Sequence, residues 1–394
     1  MVRMMIKTKV ITVLTSVLLT ATTVSAQDTL RDAVRFLMTN QGVPTGDIAS
    51  DREAAAAADD VVARALLLNL TSAPIGTSSG GFLYRLNPEL GTVERVSETF
   101  GTFLVERAVM GAQGNVSLGI TGSTVGYDRL NGFGLRDGSL VTVANRFRGE
   151  AEPFNTESLT LRLRTSTMLA FASVGVDDNL EVGIVVPILR IDLDGERLNV
   201  YRGTPFVQAT AAGSASGVGD VAVRAKYGLF SSRTASLAAA GEVRLPTGDE
   251  TNLLGAGSMS WRVLGVASFE SGPVGVHANG GIVRGGLSDE TILAGALAVA
   301  VHPRTTFTTE VLRRQVSQLR PFELVSAPLP GVSGVDTLRL TASPDGTTLL
   351  TVTTGLKWNA TDTVVLSGQI LWALSDRGLT APLTPTIGLE YSIR

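Results

Sequence analysis

Residues 219–250, GDVAVRAKYGLFSSRTASLAAAGEVRLPTGDE, hold two alternating runs separated by a four-residue turn. Val221, Val223, Ala225, Tyr227 and Leu229 share one parity, and Arg224, Lys226 and Gly228 share the other. In the second run Leu237, Ala239, Gly241, Val243 and Leu245 alternate with Ala238, Ala240, Glu242 and Arg244. Period-two alternation sends the two sets to opposite faces of a strand. A sheet covered on both faces would read as a continuous apolar run and would not hold four charges in mid-strand. These strands need oil on one side and water on the other.

The pattern recurs. Leu159, Leu161 and Leu163 alternate with Thr160, Arg162 and Arg164; Met259, Trp261 and Val263 with Ser260 and Arg262; Ile387, Leu389, Tyr391 and Ile393 with Gly388, Glu390 and Ser392. Tight turns at 177–179, 231–234, 271–273, 302–304 and 359–362 alternate with longer segments at 195–216, 246–257, 284–290, 317–346 and 375–384. Short turns at one end and long loops at the other are the signature of a bacterial outer-membrane barrel. Phe171, Tyr227, Phe269, Phe307, Trp358 and Tyr391 lie within a few residues of a short turn or of the C-terminus, on the apolar parity. That predicts an aromatic girdle at the periplasmic interface, where amphipathic rings prefer to sit. A soluble sandwich would concentrate its aromatics at strand centres.

The expected fold is therefore all-β, a transmembrane antiparallel β-barrel of about 14 strands (range 12–16) with an N-terminal, partly helical plug. Counted back from the C-terminus, strands are expected near 384–393, 363–374, 347–358, 305–315, 291–301, 274–284, 258–269, 235–245, 219–230, 180–194, 157–175, 139–148, 115–128 and 99–110. Residues 1–26 read as a secretory signal peptide: Arg3, Lys7 and Lys9 precede an apolar run that ends in the small-residue site Val24-Ser25-Ala26. Residues 27–98 form the plug segment and residues 99–394 the barrel. Within the plug, Leu30, Val34, Leu37 and Met38 are spaced for one helical face, and Ser50-x-x-Glu53 opens a second helix as a capping box. A small hairpin is expected around Asn87–Gly91.

Composition agrees with the barrel. Mean hydropathy is +0.25 although 18% of residues are charged. The apolar run at Ile292–Val301 is far shorter than the roughly 20 residues a spanning helix needs, yet suits a spanning strand of about 9–11. With no cysteine, thiol nucleophiles, thiolate metal sites and disulfides are excluded. Loss of the signal peptide would leave 30 basic against 36 acidic residues, a net charge of −6, which does not suit nucleic acid.

Residues 217–257 resemble the outer-membrane family of meta-pathway phenol-degradation proteins, a relative of the long-chain fatty-acid transporter (FadL-like) group. The resemblance rests on Gly217-x-Gly219-Asp220, Lys226-Tyr227, Leu245-Pro246-Thr247-Gly248-Asp249 and Leu254-Gly255-x-Gly257. Strand spacing over 99–394 agrees, and SETFGTFLVERAVMGAQGNVSLG looks like the entry strands of uncharacterised barrels in that group. Two features depart from it. The chain ends in Arg394 in place of the terminal aromatic usual for barrel insertion, and aromatics are only 5% of residues. The family name implies a pathway context and carries no chemistry; the barrel reading stands without it.

Arg162, Arg164, Arg190, Asp192, Arg224, Lys226, Glu242, Arg244, Arg262, His277 and Lys357 are the candidate lumen-lining residues, since a charge facing lipid at the bilayer midplane costs about 2–4 kcal/mol. Pairing across neighbouring strands to hold the wall is their simpler role. Guiding an anionic or amphipathic solute is the other, because basic residues dominate. An outer-membrane phospholipase would need a His–Ser couple on the lipid face, and the parity of His277 is lumenal; His302 sits in a turn. Asp192–Glu196 lacks the spacing of an EF-hand loop, and the sequon Asn359-Ala360-Thr361 falls in a barrel turn. No catalytic, metal or cofactor site is expected. The expected function is passive uptake of small hydrophobic or amphipathic, including aromatic, molecules through an outer-membrane barrel. The alternative is a structural or adhesive barrel with a closed lumen. Expected partners are outer-membrane lipid and the solute, with no nucleic acid.

Overall fold

The computed structural model describes residues 29–39, 48–71, 84–87, 92–95, 97–361 and 363–393; residues 1–26, expected to be a signal peptide, lie outside them. Two helices come first, α1 (Leu30–Thr39) and α2 (Ile48–Thr71). The hairpin expected around Asn87–Gly91 follows as β1 (Tyr84–Asn87) and β2 (Thr92–Arg95). The remaining strands are β3 (Val116–Tyr127), β4 (Arg129–Leu130), β5 (Phe133–Gly134), β6 (Val141–Phe147), β7 (Asn155–Gly175), β8 (Leu180–Tyr201), β9 (Thr204–Val218), β10 (Ala222–Ser231), β11 (Ala235–Arg244), β12 (Ser260–Ser271), β13 (Val274–Gly285), β14 (Glu290–His302), β15 (Thr305–Val316), β16 (Phe322–Pro328), β17 (Val335–Ala342), β18 (Thr347–Thr361), β19 (Val364–Ala373), β20 (Leu379–Thr380) and β21 (Thr384–Ile393).

Twelve strands close into a ring in the order β3–β7–β8–β10–β11–β12–β13–β14–β15–β18–β19–β21, all antiparallel, and β21 pairs back onto β3. Closure satisfies the ladder without leaving an edge, which hydrocarbon demands of any strand that crosses it. Large side chains cover the outside: Ile120, Val223, Leu237, Val263, Leu293, Val311, Leu356 and Ile387 are all exposed there. The chain is thus a membrane β-barrel of the outer-membrane type. Short turns join β7–β8, β10–β11, β12–β13, β14–β15 and β18–β19 at the end that also holds both barrel termini, the periplasmic end.

Two expected wall strands are not in the ring. Residues 99–110 are irregular and run inside the barrel. A wall strand alternates between burial and exposure, whereas all of these residues are buried except the half-buried Leu104, because lumen surrounds them on every side. The strand expected at 139–148 exists as β6 but stands outside the membrane layer.

That outer layer corrects a further set. β7 and β8 have 21 and 22 residues, about twice what a membrane strand needs. Their long-loop halves rise past the neighbouring strands and carry a six-stranded sheet in the order β16-β17-β6-β7-β8-β9. Water lies outside this sheet and the helices lie within. Leu159, Leu161, Leu163, Ile191 and Leu193 therefore turn inward against Val34, Leu37, Leu66 and Leu67. Arg162, Arg164, Arg190 and Asp192, expected in the lumen, turn outward: the Arg162 side chain is 78% exposed near Asp194, and Arg190 pairs with Asp192 at 2.8 Å in the open. The period is as expected and the direction is reversed, since alternation alone does not say which face is wet. These outward charges mark where hydrocarbon ends on β7 and β8.

A buried pair fastens α1. Arg197 and Glu157, both fully buried on the inner face of the outer sheet, bond each other. Arg197 also donates to the carbonyls of Leu37 and Met38 at 2.8 and 2.7 Å. Those carbonyls end α1, where helix groups lack partners and the dipole favours a cation.

Two substitutions separate the lipid-facing wall from the outer sheet. Val311→Arg, at mid-strand on the outside of β15, should lower stability in phospholipid vesicles by about 2–4 kcal/mol. Arg162→Leu should change it by less than about 0.5 kcal/mol. Denaturant titration in vesicles reads both, and equal effects would contradict this placement of the membrane.

Candidate functional site: the barrel lumen

Twelve strands enclose a bore wider than wall side chains alone fill and narrower than that of the 16–18-stranded porins. Residues 97–112 occupy its periplasmic half as an internal strap. Small wall residues make room for it: Ala296 and Ala298 on β14, Gly275 on β13, Gly355 on β18. A Cβ on Gly355 would stand 2.5 Å from the Phe103 ring and 2.6 Å from the Gly368 carbonyl.

An irregular buried segment has backbone groups that need partners, and wall side chains supply them. The N–H groups of Phe103, Leu104 and Val105 all donate to the Glu310 carboxylate, at 2.5, 2.8 and 2.9 Å. Phe100 N–H donates to Thr306 Oγ1 at 3.0 Å, and Ala108 N–H to Ser268 Oγ at 2.8 Å. Lys357 Nζ donates to the Thr102 carbonyl at 3.0 Å and stands 4.8 Å from the Phe103 ring centroid. Ser268 also bonds His277 Nδ1 at 2.8 Å. This His–Ser couple lies in the lumen, away from lipid, on the side that the parity of His277 indicates.

The charges of β10, β11 and β12 form a second layer. Arg224, Glu242 and Arg262 stand directly opposite one another on three adjacent strands. Glu242 accepts from Arg224 Nε at 2.6 Å, Arg262 Nη2 at 2.7 Å and Arg244 Nε at 3.0 Å. Arg244 also donates to the Thr71 carbonyl at the C-terminus of α2 at 2.9 Å. Lys226 lies 3.5 Å from Glu181 and 4.0 Å from Glu106 of the strap. Arg224, Lys226, Glu242, Arg244, Arg262, His277 and Lys357 thus all face inward, and the basic ones are engaged by carboxylates or by backbone carbonyls. Glu310, Glu106 and Glu181 were missed in the sequence. Glu310 shares the lumenal parity of Thr306 and Thr308, a signal that could have found it.

Tyr227, Phe269, Phe307, Trp358 and Tyr391 are exposed on the outer wall near its periplasmic end, as expected. Phe171 is not among them. It shares the inward parity of Leu159–Leu163 and packs beside Val185 and Ala222. Phe230 joins the girdle instead, because a bulge between Gly228 and Phe230 shifts its register and leaves it exposed.

The Gly217–Gly257 motifs converge at the extracellular rim. Asp220 accepts from Gly248 N–H at 3.0 Å and from Ala256 N–H at 2.7 Å. Thr247 accepts from Val221 N–H at 2.9 Å and donates to the Gly219 carbonyl at 2.7 Å. A Cβ on Gly255 would lie 2.5 Å from the Asp220 carboxylate and 2.6 Å from Gly248 Cα, so the two loop arms meet backbone to backbone. This clamp carries Asp249, whose carboxyl is held below the usual carboxylate range by the Thr251 hydroxyl and by nearby amides. It also presents Thr251 O and Asn252 Oδ1 to the first N–H groups of α1.

The opposite arc of wall differs. In their membrane parts β7, β3, β21 and β19 turn Thr165, Thr167, Thr121, Ser123, Thr384, Thr386, Ser367 and Gln369 inward, along with Leu169, Phe171 and Leu371. Glu390 is the one inward charge on the membrane parts of these four strands among the described residues. These residues, the strap, the end of α2 (Asn69, Leu70, Thr71) and the charged side chains of Asp220, Arg244, Arg314 and Lys357 line a cavity of about 310 Å³.

A family model described as "Putative MetA-pathway of phenol degradation" matches residues 110–309. No curated protein matches the chain. Among solved structures, an outer membrane channel from Pseudomonas putida F1 aligns at 12% identity over 72% of this chain and 97% of its own, with a TM-score of 0.44. The KdgM porin aligns at 8% identity over 64% and 100%, with a TM-score of 0.36. OprB of Pseudomonas putida aligns at 10% identity over 71% and 93%, with a TM-score of 0.27.

Glu310→Ala removes the acceptor of three strap N–H groups, and each buried orphan costs about 1–3 kcal/mol. Trypsin cleavage after the buried Arg107 should then rise about tenfold or more; an unchanged rate would show that Glu310 does not hold the strap. Asp220→Ala should cost about 1–3 kcal/mol by freeing two amides, seen as earlier loss of the compact band when unboiled samples are warmed before electrophoresis. No shift would remove the clamp from the account of stability.

Proposed function

The chain belongs to the family described as "Putative MetA-pathway of phenol degradation", and from that premise we propose that it is an outer-membrane channel for passive uptake of small hydrophobic or amphipathic molecules. The observation that carries this reading is the cavity of about 310 Å³ between the strap and the hydroxyl-bearing wall. Its size, and a lining of apolar and hydroxyl side chains beside a few charged ones, suit a small amphipathic solute. Solute enters between the extracellular loops and α2, rests in the chamber, and leaves past the strap. The strap is held by hydrogen bonds to side chains, which can exchange with water as a solute passes. Neither an energy source nor a cofactor takes part.

A structural or adhesive barrel with a sealed lumen is the second reading. It is favoured by the burial of the strap and by the helices seated within the outer sheet. Swelling of proteoliposomes in small uncharged solutes separates the two. A channel gives slow swelling in the native protein and faster swelling in the combined variant Glu310→Ala, Lys357→Met. Vesicles that stay tight to every small solute with both proteins would leave only the sealed barrel.

A further inference from the structure

We propose that the lumen is divided by chemistry, and that its solute chamber is the arc formed by β7, β3, β21 and β19, which selects uncharged molecules carrying a hydroxyl on an apolar body. This deepens the channel reading and rests on it.

Three observations carry the inference. First, the basic residues that would attract an anion are engaged elsewhere. Glu242 binds Arg224, Arg244 and Arg262 within 3.0 Å. Glu290 binds Arg314 through two hydrogen bonds, at 2.7 and 2.9 Å. Lys357 serves the strap backbone. Arg244, Arg314 and Lys357 also border the chamber, but each already has its partner there. Among the described residues an anion would therefore shed water only to compete with an existing carboxylate or carbonyl, which is costly in a low-dielectric site.

Second, burial differs between the two arcs. On the strap side the inward residues are sealed: Thr306 and Thr308 are 0% exposed, Glu310 and His277 1%. On the far side the inward Thr121, Ser123, Thr167, Ser367, Gln369 and Thr386 are all only half-buried, so they face open volume.

Third, apart from Glu390, the far side carries hydroxyls and one amide beside Leu169, Phe171 and Leu371. Hydroxyls both donate and accept and bear no charge. They can exchange bonds with a neutral hydroxylated solute while the apolar side chains cover its body. A site built this way rejects a charge by leaving it unpaired.

The chain has no cysteine, so single thiols can be placed without removing any. Ser367→Cys and Thr167→Cys report on the chamber, and Thr308→Cys on the wall beneath the strap. Each variant, reconstituted in vesicles, is treated with 2-hydroxyethyl methanethiosulfonate, which is neutral, or 2-sulfonatoethyl methanethiosulfonate, which is anionic. Rates are normalised to a small free thiol. The expected result is modification of Ser367→Cys and Thr167→Cys about tenfold or more faster by the neutral reagent, with Thr308→Cys inert to both. Equal or faster reaction with the anionic reagent would overturn the selectivity, and ready labelling of Thr308→Cys would overturn the division of the lumen. The same vesicles tested for swelling keep the two readings apart. Selective labelling without swelling refutes passage and leaves the chamber as a binding site. Swelling with unselective labelling refutes the chamber and leaves the channel.

Discussion

The ladder between β3 and β21 is the constraint on which the rest of the structure depends. It joins the first and last strands of the wall, from Val116↔Ile393 to Ser123↔Thr386. Without it the sheet would keep two edges of unpaired N–H and C=O groups in hydrocarbon, each costing several kcal/mol. With it the inside and outside become different solvents. The outside can be apolar throughout, and the inside can hold Arg224, Lys226, Glu242 and Arg262 without exposing any of them to lipid. The internal strap and the chamber both presuppose a closed ring.

Inside that ring the polar wall acts mainly on the protein itself. Glu310, Lys357, Thr306 and Ser268 satisfy the backbone of 100–108, and the Arg224–Glu242–Arg262 row ties three strands together. Cross-strand pairing of this kind is the plainer of the two roles open to basic residues in a bore. The geometry extends it, because the same residues also hold a segment that would otherwise be a set of buried orphans. Filling one side of the bore leaves the other side open, so the location of the chamber follows from the placement of the strap. The Asp220 clamp has a similar role at the rim, where two backbone arms meet closely enough to exclude side chains and present the loop that receives α1.

Much of the wall was legible in the residues themselves. Strands β10 to β15 follow the alternation within a few residues, and five of the six expected girdle aromatics lie where the turns place them. The failures have a shared cause. Thr99–Met110 has the apolar content of a strand, but its burial comes from being enclosed, which no local pattern records. Phe171 and Arg162 sit on well-read strands with their faces exchanged. Period two fixes which residues share a face, and nothing within β7 says whether that face meets lipid, water or a helix. β7 meets all three along its length.

The order of charges and apolar residues in this chain was sufficient by itself to require a closed, antiparallel, membrane-facing sheet with helices ahead of it. Strands with one oily and one charged face, joined by alternating short and long connections, are the pattern of such a barrel. Only the tertiary structure decided that twelve strands close the ring, that β7 and β8 outgrow the membrane, and that residues 97–112 run within. Those outcomes depend on contacts between positions more than 200 residues apart, such as Phe103 and Glu310 or the closing pair Val116 and Ile393. Periodicity is a property of neighbours along the chain, whereas the solvent each face meets is set by partners far away in it.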